Sequence, residues 1–304
     1  LNVFKYLTFR TGLSVVTSLV VVFIIGGPFI KYFSKMDITG PIRQDGPIDH
    51  IIKKSGTPTM GGIIIIAGIL SSTLLWADLT NIYIWTLIFV SFSLALLGFI
   101  DDLLKIKYRN SSGLNSKLKL LGQFFISLMT LLMILNFTDH EFLNNLYFPF
   151  FKNLIIDLGI FFIPFGLFVI IGSSNAVNLT DGLDGLATVP IILVALSFTF
   201  ISYVVGNIIF SDYLQIQYIP DVGEIGIFCG AIVGSCLGFL WYNAPPAKIF
   251  MGDTGSLSLG GSLAAVAIIV KHEIVLAIIG GLFVLETVSV IIQVISFNSN
   301  VTRI

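Results

Sequence analysis

Residues 82–105 read IYIWTLIFVSFSLALLGFIDDLLK, and this stretch determines the class of the protein. No charged residue occurs between Ile82 and Ile100. At about 1.5 Å per residue, a helix of that length crosses most of the roughly 30 Å hydrocarbon core of a bilayer. Two adjacent carboxylates, Asp101 and Asp102, end the apolar run, and Lys105 follows. We therefore predict a membrane-spanning helix with a polar end at the membrane surface.

The composition of the chain indicates that lipid is its solvent. Of 304 residues, 56% are apolar and 11% are charged, and the mean hydropathy is +0.98. Soluble domains contain about 25% charged residues, so this chain has too few charges to cover a surface that faces water. An ordinary soluble enzyme, a disordered chain and a coiled coil are thus excluded. The net charge of −1 offers no basic field, so we expect no nucleic-acid partner.

Eight further apolar stretches are similar to the first, and a helix of roughly 20 residues crosses a bilayer. We predict an all-α integral membrane protein, a polytopic helical bundle of about nine transmembrane helices that forms a single transmembrane domain over residues 1–304. The nine predicted spans cover residues 13–30, 60–76, 82–100, 118–137, 154–173, 186–206, 224–241, 256–270 and 274–297.

The basic residues predict the orientation in the bilayer. If the N-terminus lies outside, 12 of the 16 lysines and arginines fall in inner loops and 4 on the outer side. Cytoplasmic loops carry such an excess, so we predict an outer N-terminus. Dense polar clusters also fall in the inner loops, at residues 37–59, 101–117, 174–185 and 242–255. Chemistry is therefore expected at the cytoplasmic face.

The first two clusters combine lysines, turns and acids. Lys53 and Lys54 precede a Gly-Thr-Pro-Thr turn, which suits phosphate binding, although an anchor of positive charge is the alternative.

The second cluster is the acid pair Asp101 and Asp102. Such a pair is costly at the end of an apolar helix unless it is paired with a positive charge or binds a metal. Lys105 is spaced to pair with either acid. The two carboxylates point about 100° apart and need not share a ligand. A solvated interfacial group is the alternative.

The third cluster repeats a polar residue at every third position, at Asn175, Asn178, Asp181 and Asp184. These side chains form one polar stripe if the segment is helical or 3₁₀. The segment contains no Lys or Arg, so a role as a membrane anchor explains it poorly.

The fourth cluster includes Phe250 and Asp253. Asp253 is either a metal ligand or the N-cap of a helix rich in small residues. Phe250 either stacks on a base or anchors the chain at the interface. In the last span, Glu286 and Gln293 lie seven residues apart on one face. A buried carboxylate in a membrane helix is a candidate site residue, and an internal hydrogen bond to a neighbouring helix is the alternative.

The inventory of the clusters points to phosphoryl transfer. Five carboxylates in three loops, with several lysines, suit Mg²⁺ and a polyphosphate. Phosphoryl transfer requires mainly positioning and charge neutralisation. A site at the bilayer surface suggests one lipid phosphate and one soluble anion as substrates. A secondary transporter for an anionic solute is the alternative class, but acids near the bilayer midplane would mark one.

Taken in order, these strings resemble the phospho-N-acetylmuramoyl-pentapeptide transferases, a family of bacterial inner-membrane enzymes in the polyprenyl-phosphate N-acetylhexosamine-1-phosphate transferase superfamily. The acid motifs are shared across the superfamily, whereas the first block and the last helix point to this family. The resemblance covers essentially the whole chain and rests on residues 2–10, 43–62, 101–102, 175–185 and 250–253, with Glu286 and Gln293.

The resemblance implies transfer of phospho-MurNAc-pentapeptide from UDP-MurNAc-pentapeptide to undecaprenyl phosphate, giving lipid I and UMP with Mg²⁺. A sister transferase that uses UDP-GlcNAc stays the nearest alternative. The resemblance also implies a cytoplasmic active site in the inner membrane, in contact with the lipid bilayer, and is compatible with a homodimer.

The resemblance assigns residues as well. Asp101, Asp102 and Asp253 are implied to be catalytic, with Asp101 as the base toward the lipid phosphate and Asp253 as the Mg²⁺ ligand. Phe250 is implied to stack on uracil. The implied substrate-binding residues are Lys54, Thr59, Lys105, Lys117, Asn178, Asp181, Asp184, Asn243, Phe250 and Gln293.

One departure from the family stands out. Its members have ten spans and a run of histidines in a cytoplasmic loop before the last span. This chain ends at Ile304 after nine predicted spans and lacks that run. We expect a chain truncated at both ends.

Overall fold

The computed structural model describes residues 2–36, 57–108, 113–137, 144–151 and 154–301, with side chains up to residue 296. Within these ranges the protein is a helical bundle with one small β-hairpin. Among the described residues, seven helices are long and apolar enough to cross a membrane, or eight if one bent pair counts as a span. The predicted all-α polytopic membrane fold is confirmed.

The described elements follow the predicted order. Strand β1 (Asn145–Tyr147) pairs antiparallel with β2 (Ile155–Asp157), and short 3₁₀ turns cover Asn2–Lys5, Gly159–Phe161 and Val222–Glu224. The α-helices are α1 (Leu7–Lys35), α2 (Gly62–Trp76), α3 (Ile82–Tyr108), α4 (Ser116–Phe137), α5 (Phe162–Thr180), α6 (Thr188–Val205), α7 (Ile208–Leu214), α8 (Ile225–Asn243), α9 (Gly252–Ile269), α10 (Glu273–Ile279) and α11 (Gly281–Val301).

Three predicted spans differ from the helices that form. The span at 60–76 becomes α2, with only 15 residues, because the chain is still extended before Gly61. The span at 154–173 begins as a strand, and its helix α5 runs on to Thr180. The last span, predicted at 274–297, is two helices, α10 and α11, which meet at Gly280 with their axes 78° apart.

Helix α9 is the axis of the bundle, and 94% of its span is buried inside the protein. It packs against α2, α3, α5 and α6. Its residues are mostly Gly, Ala and Ser, which let neighbouring helix backbones approach closely. Ser258 donates a 2.7 Å hydrogen bond to the carbonyl of Ser91 on α3. Ser174 on α5 donates a 3.0 Å bond to the carbonyl of Leu257.

A charged contact ties three elements at the end of the bundle where α1 begins. Arg10 Nη1 donates to Glu224 Oε2 at 2.9 Å and to the carbonyl of Trp76 at 3.2 Å, and Arg10 Nη2 also contacts Glu224. The backbone N–H of Asp78 donates to Glu224 Oε2 at 2.9 Å. The start of α1, the end of α2 and the turn before α8 are joined in this way.

We expect Arg10→Ala to lower the free energy of unfolding by about 1.5–3 kcal/mol, because hydrogen bonds to charged groups contribute about that much. The measurement is the apparent Tm of the purified protein in detergent. Lys5→Ala is the matched control, since Lys5 is exposed at the same end of the bundle. Equal Tm values for the two variants would contradict the assignment.

Candidate acid–lysine centre

Three carboxylates meet at the other end of the bundle, where α3 ends and α9 begins. Asp101 and Asp102 come from α3, and Asp253 comes from the first turn of α9. One oxygen atom from each lies within 4.8 Å of the others. Asp101 is 2% exposed and Asp102 is 3% exposed. The fold therefore joins the second and fourth sequence clusters in one buried centre.

Two ammonium groups neutralise most of this charge. Lys105 Nζ lies 2.5 Å from Asp101 Oδ2 and 3.0 Å from Asp253 Oδ1. It also lies 3.8 Å from Asp102 Oδ1. Lys119 Nζ contacts Asp253 Oδ2. The predicted pairing of Lys105 with the acid pair is confirmed. The sequence did not predict that Lys105 and Lys119 also contact Asp253.

The lysine of α4 that contacts Asp253 is Lys119, which the sequence did not single out. Lys117, which the resemblance placed near the phosphates, is exposed on α4, and its backbone N–H is bonded to Asn115 Oδ1 at 3.0 Å. Lys119, two residues later and about 200° around the helix, faces the carboxylates. Binding of phosphates by Lys117 stays a prediction.

A polar network holds α4 in this rotation. Gln123, one helical turn beyond Lys119, is fully buried, and its Oε1 accepts a 3.0 Å bond from Asn175 Nδ2. Gln123 Nε2 donates to Ser174 Oγ at 3.2 Å. The sequence reasoning missed Gln123 and Lys119, although their i, i+4 spacing on an apolar helix marks a common polar face.

The start of α9 is capped by a side chain from another helix. The N–H groups of Asp253 and Thr254 donate to Asp102 Oδ1 and Oδ2, at 3.2 and 3.0 Å. Thr254 Oγ1 donates to Asp102 Oδ2 at 2.8 Å. The N-cap interpretation of Asp253 is wrong, because the helix begins at Gly252 and Asp253 lies inside its first turn.

Two glycines allow this close contact between α3 and α9. A Cβ atom at Gly98 would lie 2.2 Å from the carbonyl oxygen of Asp253. Gly252 has a φ of +73°, and a Cβ atom there would lie 2.7 Å from Asp102 Oδ2. A side chain at either position would push α3 and α9 apart and separate the Asp102 carboxylate from the backbone N–H groups that donate hydrogen bonds to it.

The segment before α2 pairs with the segment before α9. Phe250 N–H donates to the carbonyl of Pro58 at 2.9 Å, and Gly61 N–H donates to the carbonyl of Phe250 at 2.8 Å. Gly62 N–H donates to the carbonyl of Met251 at 2.8 Å. The pairing brings the first and fourth clusters together and buries Thr59. Lys54 lies outside the described residues.

The third cluster is divided between a helix and a turn. Asn175 and Asn178 lie on α5, Asp181 is its C-cap and Asp184 lies in the turn beyond, so the predicted stripe is helical only in its first half. Asn178 Nδ2 donates to Ser256 Oγ on α9 at 2.8 Å. This half of the cluster therefore joins the acid–lysine centre through α9.

Asn243 holds the turn against the loop that follows α8. Its Oδ1 accepts 3.0 Å bonds from Gly185 N–H and Thr188 Oγ1, and its Nδ2 donates to the carbonyl of Ile249 at 3.0 Å. Asp184 Oδ2 accepts from Ala247 N–H at 3.1 Å. Asn243 is 2% exposed, and in this arrangement it positions the loops around the site.

Gln293 lies apart from the centre on an exposed face of α11. Its Nε2 donates to Ser289 Oγ of the same helix at 3.1 Å, rather than to a neighbouring helix. Helix α11 packs against α5, which carries Asn178. A role for Gln293 in substrate binding stays a prediction.

The arrangement is chemically suited to a divalent cation and to phosphate. Three carboxylate oxygens that lie close together are hard ligands of the kind that such cations take. Two lysines against three carboxylates leave one negative charge, which a cation can offset. The ammonium groups would then be available to anionic oxygens of a substrate.

Two models of known protein families match the parts of the sequence that form this centre. A model for glycosyl transferase family 4 matches residues 84–271, which include the three carboxylates and both lysines. A second model, signature 1 of phospho-N-acetylmuramoyl-pentapeptide-transferase, matches residues 54–66, which include the segment paired with Phe250.

Several curated relatives carry the name phospho-N-acetylmuramoyl-pentapeptide-transferase. The protein from Pelagibacter ubique is 64% identical over all of this chain and 84% of its own length. The one from Phenylobacterium zucineum is 52% identical over the same shares, 100% and 84%. The Rickettsia felis protein is 56% identical over 98% of this chain and 82% of its own. With this identity over its whole length, the chain belongs to the phospho-N-acetylmuramoyl-pentapeptide transferase family.

Proposed function

We propose that the protein transfers phospho-MurNAc-pentapeptide from UDP-MurNAc-pentapeptide to undecaprenyl phosphate. An oxygen of the lipid phosphate attacks the β-phosphorus of the donor. The bond from that phosphorus to the bridging oxygen breaks, which gives lipid I and releases UMP. The observation that carries the proposal is the convergence of three carboxylates and two lysines at the ends of membrane-spanning helices, in a chain of this family.

The centre fits Mg²⁺, and we assign Asp253 as its protein ligand. Mg²⁺ binds few carboxylates and completes its shell with water and substrate phosphates. When bound, it would neutralise charge on the diphosphate and on the departing UMP. Asp253 suits this role because it is 13% exposed, whereas Asp102 is enclosed by α9. Lys105 and Lys119 bracket Asp253 and would bind the phosphate oxygens of the substrates.

Asp101 is proposed as the base that takes a proton from the lipid phosphate. Its Oδ1 accepts a 2.8 Å bond from Leu114 N–H, which fixes the orientation of the carboxylate. Its Oδ2 faces Lys105. The fixed orientation of the carboxylate, and an adjacent ammonium group that attracts an anionic lipid headgroup, support this role.

The nucleotide-sugar pocket is proposed on the side of α9 that faces the 57–61 segment and the end of α5. Phe250 would stack on uracil, and Asn178 is next to the same start of α9. The remaining residues proposed to line the pocket or approach the phosphates are Lys54, Thr59, Lys117, Asp181, Asp184, Asn243 and Gln293.

We also propose that the protein lies in the bacterial inner membrane as a multi-pass protein, with this centre at the cytoplasmic face and the N-terminus outside. The excess of basic residues in the loops on that side supports this orientation. Association as a homodimer is part of the same proposal.

The test is transfer of labelled sugar phosphate to undecaprenyl phosphate by detergent-solubilised protein. UDP-MurNAc-pentapeptide and UDP-GlcNAc are compared as donors, with and without EDTA. We expect EDTA-sensitive transfer from the muramyl donor. Transfer from UDP-GlcNAc alone would favour the sister reaction. If the folded protein transfers sugar phosphate from neither donor, the alternative function, transport of an anionic solute, would be favoured.

Asp253→Ala should abolish transfer at any practical Mg²⁺ concentration, because the proposed ligand is lost. Initial rates across a Mg²⁺ titration provide the measurement. Asp212→Ala serves as the control, since Asp212 is an exposed acid on α7. If Asp253→Ala keeps the rate of the control variant, the metal assignment is wrong.

Asp101→Asn should lower kcat by about 10²–10⁴-fold with a much smaller change in KM, because the bound geometry survives while the base is lost. Steady-state kinetics over both substrates measure the two constants. A variant with altered KM and normal kcat would exclude the base role.

Lys119→Met should lower kcat/KM by about 10- to 100-fold, as loss of a partner to a metal ligand commonly does. Lys35→Met is the control, because Lys35 is an exposed lysine at the end of α1. If Lys119→Met keeps the kcat/KM of the control variant, the Lys119–Asp253 contact is dispensable.

A further inference from the structure

We propose that Asp102 is a positioning residue whose carboxylate fixes the first turn of α9 and thereby aims Asp253 at the metal and phosphate site. This inference rests on the proposed function and replaces the expectation that Asp102 itself is catalytic. Asp102 is assigned neither the base role nor a place among the metal ligands.

The hydrogen bonds of Asp102 carry this assignment. Its two oxygens accept from the N–H groups of Asp253 and Thr254 and from Thr254 Oγ1, at 2.8–3.2 Å. A helix usually takes its cap from the residue just before it. Here that residue is Met251, whose side chain makes no capping bond, and Gly252 has no side chain. Helix α3 therefore supplies the acceptor that α9 lacks.

The neighbouring acid is oriented differently. Asp101 accepts one backbone bond, from Leu114, and its other oxygen faces Lys105 at 2.5 Å. Adjacent residues on a helix project about 100° apart, so Asp102 meets the backbone of α9, with Lys105 Nζ farther away at 3.8 Å, while Asp101 pairs closely with Lys105. The adjacent pair thus divides into one group that holds structure and one that faces the reacting side.

The position of Asp253 depends directly on this cap. Its own N–H is one of the three donors, and its side chain reaches Lys105 at 3.0 Å and also contacts Lys119. Loss of the Asp102 carboxylate would leave buried amides of α9 without acceptors and release the first turn. The side chain of Asp253 would then lose its fixed direction, so the expected defect is weaker metal binding.

The experiment measures Mn²⁺ binding to the detergent-purified protein by electron paramagnetic resonance, beside kcat and KM. Asp102→Ala should weaken Mn²⁺ binding by about 10- to 100-fold. Asp102→Asn keeps an acceptor oxygen and should lose less than about tenfold, because Asn is a preferred N-cap residue. If Asp102→Asn loses as much kcat as Asp101→Asn at saturating metal, Asp102 is catalytic and the inference fails.

A second set of variants tests the contact from the side of α9. Thr254→Val removes one donor, while Thr254→Ser keeps it. The Mn²⁺ affinity of Asp102→Ala combined with Thr254→Val should match that of Asp102→Ala alone, because both changes break the same contact. Losses that simply add would contradict the inference. Thr254→Val also provides the test if Asp102→Ala does not fold.

Asn207→Ala is the control for a purely structural effect. Asn207 caps α7 through bonds from the N–H groups of Ile209 and Phe210, at 3.0 and 3.2 Å. Its loss should lower Tm without changing Mn²⁺ affinity, and an equal shift in both capping variants would overturn the inference. Wild-type protein without Mn²⁺ binding or transfer would instead refute the proposed function.

Discussion

A carboxylate removed from water costs several kcal/mol unless positive charge or hydrogen-bond donors replace the water, and three carboxylates lie here at the ends of apolar helices. Each meets this constraint differently. Asp101 forms an ion pair with Lys105 of its own helix, and Asp253 forms ion pairs with Lys105 and Lys119. Asp102 accepts hydrogen bonds from the backbone N–H groups at the start of α9. Because these partners come from three helices, charge compensation also fixes how α3, α4 and α9 pack.

The backbone geometry makes that compensation possible. Small residues along α9 let its neighbours approach, and at Gly98 the contact is too close for any side chain. The extended segment before α2 adds hydrogen bonds to the carbonyls of Phe250 and Met251. The segment matched by the family signature thus binds the loop that carries Phe250 and leads into the first turn of α9, where Asp253 lies. Asn243 secures the other end of this loop.

Local patterns in the sequence predicted the spans, the side of the bundle that holds the acids and the Lys105 pairing, because each depends on neighbours within a few residues. The contact of Lys119 with Asp253 and the cap from Asp102 join positions more than 130 residues apart. The spacing of Lys119 and Gln123 marks a polar face of α4, but no local pattern identifies the partner of that face. The bend at Gly280 was not predicted either, because the hydropathy is continuous across it and indicates one straight span. Lys117 and Lys119 have the same side chain and lie on the same helix, α4, so only the helix face on which each lies distinguishes them.

The pairing of Asp101 with Lys105 has a consequence for assembly in the membrane. Both residues belong to one helix and lie four positions apart, so their salt bridge needs no other part of the chain. Helix α3 is synthesised about 150 residues before α9, the helix that gives Asp102 its donors. During that interval the internal salt bridge offsets one of the two acidic charges at the end of α3. The same lysine is thus available as a counterion before α9 is made, and in the complete fold it also contacts Asp253.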